Sequence, residues 1–322
     1  MATSQFVSVC TIDALAKAAA QLKAGHLIAF PTETVYGLGA DAENADAVAK
    51  IYKVKGRPQD HPLIVHIGDW QAMGDWAGEI PDYAIDLARN FWPGPMTLIL
   101  ERSELAKDFV TGGQNTVGIR VPNQTLALQL LTEFSKIGGR GIAAPSANRF
   151  GQVSPTTAQA VKEEIGAYLA PEDAILDGGP CAVGVESTII DCTSTTPKIL
   201  RPGAITAAMI EEVTGLKVET TERSEIRVSG SLENHYAPAA EVILDVTPQP
   251  GDGLIALADI STPVGVIRLA SPKSDESFAH DLYAALRDGD EKELKRIVVI
   301  QPTGEGIAVA IRDRLKRAAA GR

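Results

Sequence analysis

The side chains most able to do chemistry in this sequence are a few cations and hydroxyls held near turns. In KVKGRPQDHPLIVHI (53 to 67), Lys53, Lys55 and Arg57 recur at a spacing of two as a helix pattern breaks at Gly56 and Pro58. Alternate residues of an extended segment point the same way, so the three could face one polyanion. A solvated helix end accounts for Lys53 equally well, because cations favour a helix C-terminus. Both Lys55 and Arg57 lie in a polar, broken segment, so their loss is expected to affect folding little. Arg120 sits inside the otherwise apolar run NTVGIRVP (115 to 122). A buried guanidinium requires an anion, which is either an internal carboxylate or a bound ligand.

Three further segments carry polar groups without apolar periodicity. PTETVYGLGADA (31 to 42) follows a strand and reads as a loop. It either offers hydroxyls and backbone N–H groups to a ligand or satisfies them within a turn. AAPSANRFGQVSPT (143 to 156) joins a strand to a helix through Ser146, Asn148 and Ser154. With Pro155 at the first helical position, Ser154 is expected as the N-cap of a helix whose N-terminus is also an anion site. GVESTI (184 to 189) leads Glu186, Ser187 and Thr188 into a strand, and ILRPGAIT (199 to 206) presents Arg201 before a Pro-Gly turn.

What is missing narrows the chemistry. There is no G-x-x-x-x-G-K-[ST] loop, no G-x-G-x-x-G after a strand and no G-x-S-x-G elbow, so neither the common phosphate cradles nor a hydrolase nucleophile is present. Three cysteines and five histidines contain no C-x-x-C and no H-x-x-x-H pair, so no protein metal site or disulfide framework is expected. The 30 Lys and Arg against 41 Asp and Glu give a net charge of −11, which repels nucleic acid and anionic lipid unless cations gather locally. No run approaches 18 apolar residues and the N-terminus has no basic start, so a cytoplasmic protein with no membrane partner is expected.

These side chains need elements to hold them. Of the 322 residues 45% are apolar, enough for a sizeable core and about two domains. Helix patterns over 44 to 53, 81 to 91, 124 to 135, 156 to 167 and 205 to 214 alternate with β-rich runs such as PLIVHI, MTLILE, TVGIRV and STIID. This predicts one α/β domain over 1–216. Residues 217–240 have weak periodicity and a Gly-Ser stretch, and read as a linker with hinge freedom at Gly230. EVILDV, GLIALA, VGVIRLA and RIVVIQP, with helices near 275 to 288 and 305 to 319, predict a smaller Rossmann-like α/β domain over 241–322.

The ordered set PTETVYGLGADA, HPLIVHI, AAPSAN and GVESTI, with HYAP at 235 to 238, resembles the YrdC-type family in its long, two-domain threonylcarbamoyl-AMP synthase form. The resemblance implies a twisted mixed sheet with a concave pocket. It implies an enzyme that joins L-threonine, bicarbonate and ATP into threonylcarbamoyl-AMP and pyrophosphate. A downstream tRNA threonylcarbamoyl-transfer complex then uses that intermediate to modify tRNA beside the anticodon. By the same resemblance Thr32, His66, Arg120 and Ser187 bind threonine. Lys55, Arg57, Thr116, Ser146, Asn148, Ser154, Arg201, His235 and Tyr236 hold ATP, with Lys55 and Arg57 acting on the reacting phosphates. Residues 217–240 would form a lid, although SGSLEN stands where relatives carry a basic Ser-Pro-Gly-Met stretch.

The implied chemistry explains why cations matter. Threonine and bicarbonate give a carbamate whose oxygen attacks the α-phosphorus of ATP, and two unit charges about 4 Å apart repel by roughly 4 kcal/mol at an effective dielectric of 20. Lys55, Arg57 and a Mg²⁺ ion carried by ATP would offset this, with no protein nucleophile. Two other readings remain at this point: a carbamoyl-adenylate-forming enzyme, and a double-stranded RNA-binding module. Zinc-finger cysteine pairs, which accompany the former, are absent, and the net charge opposes the latter; direct tRNA contact is left open.

Overall fold

The computed structural model describes residues 5–8, 12–220, 225–230 and 236–321. Among these, eleven strands form one mixed sheet. They are β1 (Gln5–Ser8), β2 (Ile28–Phe30), β3 (Gly37–Asp41), β4 (Ile64–His66), β5 (Met96–Glu101), β6 (Thr116–Arg120), β7 (Ile142–Ala144), β8 (Ala174–Asp177), β9 (Thr188–Asp191), β10 (Lys198–Arg201) and β11 (Glu219–Thr220). Their spatial order is β1-β8-β2-β3-β7-β4-β6-β5-β9-β10-β11. The central strands are short and buried on both faces, which is why they read as continuous apolar runs and not as alternation.

Helices cover this sheet as their apolar spacing requires. In α1 (Ile12–Lys23), Leu15, Ala18, Ala19 and Leu22 pack against Leu126, Ala127, Leu130 and Phe134, which lie one helical face apart in a second helix over Thr125–Lys136. Asn44 caps α2 (Ala45–Lys55) by accepting the Ala47 N–H at 3.1 Å. Gly56 ends it in the left-handed region at φ 64°, where the Gly56 and Arg57 N–H groups close on Lys53 and Tyr52 carbonyls. This ending corrects the extended reading of the Lys53 to Arg57 segment. Lys53 and Lys55 are helical, so their side chains diverge; Lys53 is exposed while Lys55 and Arg57 are buried.

Two other expectations are corrected. The second half of PTETVYGLGADA is not loop but the fully buried β3, paired to β2 and β7. Its glycines hid the strand signal because they leave room for Phe30 and Ile142, which a Cβ at Gly39 would strike. Ser154 is not a helix cap: the helix over Ala158–Ile165 is capped by Thr157, which accepts the Ala160 N–H at 3.2 Å. Pro155 instead gives its carbonyl to the Tyr36 N–H at 2.9 Å, so the segment is held to the sheet and Ser154 is turned to a buried carboxylate.

The second domain is a four-stranded parallel sheet of β12 (Glu241–Leu244), β13 (Gly253–Ile255), β14 (Ile267–Ala270) and β15 (Arg296–Val299), ordered β12-β15-β13-β14. Two long helices, over Asp275–Glu291 and Ile307–Ala319, pack on it. Its core is not closed on itself, since Val35, Val153 and Val185 of the first domain belong to the same apolar cluster as Phe278, Leu282 and Leu315. Gly184, at φ 85°, lies so close to the Ala279–His280 backbone that a Cβ would overlap it. Within the 217–240 span Val228 is buried against Ile99 and Ile189. Among the described residues no helix is long and apolar enough to cross a membrane.

Candidate active site

Strand ends from the middle of the large sheet converge on one cavity. β4 and β6 run parallel with His66 opposite Arg120, Ser146 bridges Gly37, and Ser187 stands at the entrance of β9. The cavity measures about 500 Å³, its open mouth included. Eight of the residues singled out from the sequence line it: Thr32, Arg57, His66, Arg120, Ser146, Ser187, Arg201 and Tyr236. Thr116 faces a smaller neighbouring cavity of about 270 Å³, and Ile64 and Ser229 line both. Lys55, Asn148 and Ser154 form the layer behind the wall, and His235 lies outside the described residues.

Each cation has a defined duty. The Arg120 Nη2 sits 2.8 Å from Glu33 Oε1 and donates to Thr34 Oγ1 at 2.9 Å, while its Nε is buried without a hydrogen-bond partner. Arg57 donates through Nη2 to the Pro62 carbonyl at 2.9 Å and to Ser229 Oγ at 3.1 Å, and its Nε is likewise buried and unpaired. Burial lowers its pKa to about 10, which still leaves it charged at neutral pH. Lys55 donates to the Ser146 and Asn148 carbonyls at 2.6 and 2.5 Å. Burial, and then repulsion from Arg57, pull its pKa well below the ordinary lysine value, so a bound anion would strengthen its charge. Arg201, expected at the nucleotide, spends its donors on Ser187 O, Ser187 Oγ and Ser229 O, and so organises the wall.

The hydroxyls and the imidazole are also pre-set. Thr32 Oγ1 donates to Val35 O at 2.6 Å and accepts the Thr34 and Val35 N–H groups, which pins the turn that carries it. Ser187 Oγ is 2.8 Å from Thr97 Oγ1. Asn148 gives its amide N–H groups to Arg149 and Gln152 carbonyls, leaving Oδ1 buried and unpaired. His66 stands edge-on to Phe30 with Nδ1 unpaired. Burial, reinforced by Arg120, pushes its pKa down to about 3, so it is a neutral hydrogen-bonding group and not a cation. Because its folded pKa is depressed below 6.5, it contributes stability above that value which is lost as pH falls toward 3. The unfolding midpoint should therefore drop on acidification already above about pH 5, before most carboxylates titrate, and His66→Gln should flatten that part of the curve. A wild-type midpoint that is level from pH 7 to about 5 would contradict this.

Comparisons with known proteins fit this arrangement. Residues 20–203 match the Sua5–YciO–YrdC domain family, whose description is "Telomere recombination", and residues 205–320 match "Threonylcarbamoyl-AMP synthase, C-terminal domain". The chain is 41% identical to the threonylcarbamoyl-AMP synthase of Bacillus subtilis, over 96% of this chain and 93% of that protein. It is 39% identical to that of Pyrococcus abyssi, over 94% and 92% respectively. The chain belongs to the threonylcarbamoyl-AMP synthase family. The crystal structure of Pyrococcus abyssi Sua5 complexed with L-threonine superposes with a TM-score of 0.86 at 35% identity, covering 98% of this chain and 97% of that one. Both domains of this synthase-family enzyme are thus matched together.

Within the synthase fold, sequence reasoning gives the carboxylates no role: Glu33 goes unnamed, and Glu186 is named only as leading into a strand. Glu33 balances Arg120, and Glu186 lines the cavity while its oxygens accept from Ser154, Tyr283 and Arg314. Both lie next to residues singled out by motif, Thr32 and Ser187, yet a Glu beside a turn reads as a solvated side chain. Ser229 was also missed, because SGS reads as flexible linker. It binds Arg57 and Pro62, and Gly230 beside it, at φ 79°, lies so close to Tyr236 that a Cβ there would overlap the hydroxyl.

Proposed function

We propose that this chain joins L-threonine, bicarbonate and ATP into threonylcarbamoyl-AMP and pyrophosphate inside this cavity. The observation that carries the reading is a wall whose described residues include three guanidiniums, Arg57, Arg120 and Arg201, with the Glu186 carboxylate beside them and Glu33 paired to Arg120, in a protein of net charge −11. Such a local excess is what an anionic carbamate and a triphosphate need to approach each other.

The residues divide the work by position. Arg120 would take the threonine carboxylate, with neutral His66 and the Thr32 and Ser187 region around its amine and side chain. Arg57, on the same wall, would take a phosphate oxygen, and Lys55 would stiffen the Ser146 to Asn148 backbone and add positive charge behind it. Carbamate oxygen attacks the α-phosphorus, the bond to the bridging oxygen of pyrophosphate breaks, and no group on the protein is acylated. Mg²⁺ belongs to this proposal as a companion of ATP held by phosphate oxygens; among the described residues no cluster of three His, Cys, Asp or Glu is placed to hold a metal. Tyr236, 1% exposed and with its ring in the cavity wall, would cover the nucleotide against water, which hydrolyses mixed anhydrides readily. A cytoplasmic location and hand-over to a tRNA threonylcarbamoyl-transfer complex complete the proposal.

The test is release of pyrophosphate from ATP, with threonine and bicarbonate each omitted in turn. Pyrophosphate should form only when both are present. Equal ATP turnover without threonine, or release of phosphate instead, would remove the reading. Thr32→Val is a poor probe of amino-acid choice, because it also breaks the turn that Thr32 pins.

A further inference from the structure

The second domain reaches into the cavity wall through one buried polar cluster. Glu186 is the shared member: Oε1 accepts from Ser154 Oγ at 2.6 Å, and Oε2 accepts from Tyr283 Oη at 2.9 Å and from Arg314 Nε at 2.8 Å. Ser154 and Glu186 come from the first domain, Tyr283 and Arg314 from the second. Arg314 also donates through Nη2 to the carbonyl of Pro202, next to Arg201, at 3.0 Å, and Asp313 takes its Nη1 at 2.6 Å. Its guanidinium lies 5.5 Å from the Tyr236 ring centre, and Tyr236 stacks on Tyr283 with ring centres 5.6 Å apart. Ser154, Glu186, Tyr236, Tyr283 and Arg314 are all buried, Arg314 being 1% exposed.

We propose that Arg314 and Tyr283 are positioning residues for the nucleotide half of the reaction, holding the Glu186 carboxylate and, through it and the Tyr236 ring, the wall that meets ATP. This rests on the synthase reading above. A buried ion pair gains little stability over well-packed apolar groups, so glue alone does not call for one here. What it supplies is direction. A carboxylate whose two oxygens are claimed from opposite sides cannot rotate, so Ser154 on one side and the Tyr236 stack on the other are fixed relative to Ser187, the next residue in the chain. Burial would raise the Glu186 pKa, and Arg314 from the second domain, then Arg201 from the first, bring it down to about 2.

The experiment uses the full-length chain. Affinity for a non-hydrolysable ATP analogue is measured by calorimetry without turnover, and the KM values for ATP and threonine are taken from pyrophosphate release. Arg314→Met should weaken analogue binding and raise the ATP KM at least 10-fold while changing the threonine KM less than about 3-fold, the split expected when only nucleotide-side contacts are lost. Arg314→Lys should recover part of the loss. Glu186→Gln combined with Arg314→Met should bind the analogue better than Arg314→Met alone, because no uncompensated charge remains. If Arg314→Met does not fold, Tyr283→Phe decides: it keeps the ring stack, removes one hydroxyl, and should raise the ATP KM about 3-fold. Analogue affinity within 2-fold of wild type in the folded variants would overturn the proposal, as would equal rises in both KM values. Failure of the wild type to form pyrophosphate would remove the synthase reading, and the analogue affinities would still decide the positioning claim.

Discussion

Arg57→Met should lower the rate of pyrophosphate formation by about 100-fold or more, the scale of losing one charge contact made in the transition state. Methionine keeps the apolar stem and deletes the guanidinium, including the buried Nε that has no hydrogen-bond partner in the protein. Arg57→Lys retains charge but not the planar fork, and should fall between the two. The rate is read at saturating ATP and threonine, beside a melting curve. Lys55→Ala is the less clean experiment, and here the expectation from sequence is corrected. Lys55 is 2% exposed and its ammonium satisfies two buried carbonyls, so alanine should cost stability as well as activity, about 1–3 kcal/mol for each acceptor left without a donor. An Arg57→Met enzyme within about 3-fold of wild type would move the charge work to another residue.

How much of this was legible in the sequence depends on the kind of signal. Helices with long apolar faces, such as Thr125–Lys136, were readable within a residue or two because a period of 3.6 survives any environment. β3 was not, because Gly-Leu-Gly-Ala-Asp carries neither bulk nor alternation; the strand exists only because Phe30 and Ile142 fill the space its glycines leave. Ser154 illustrates a second limit. Local rules assign a serine before Pro155 to a helix cap, and a buried carboxylate 32 residues away overrides them. The cavity residues were legible through motifs, and their partners were not. Nothing in the types or spacing of Glu186, Tyr283 and Arg314 says that they meet, since two of them lie much further along the chain, in the other domain.

Arg120 joins both levels, because the sequence left its anion undecided between an internal carboxylate and a ligand, and the geometry provides for both. Its Nη2 faces Glu33 at 2.8 Å, and the same residue lines the cavity. Arg120→Leu would confound the two roles, since it strands Glu33 as a buried, unpaired carboxylate at about 3–5 kcal/mol. Arg120→Lys separates them. A lysine ammonium can stay with Glu33 and keep the domain folded, but its three N–H groups radiate from one atom and lack the planar fork that reaches Glu33 and a substrate carboxylate at once. One charge-assisted hydrogen bond is worth about 1.5–3 kcal/mol, so the threonine KM should rise between about 10-fold and 100-fold with the ATP KM little changed. The melting midpoint should stay within a few degrees of wild type. If Arg120→Lys melts normally and its threonine KM is unaltered, Arg120 serves Glu33 alone, and the threonine carboxylate must be held elsewhere in the cavity.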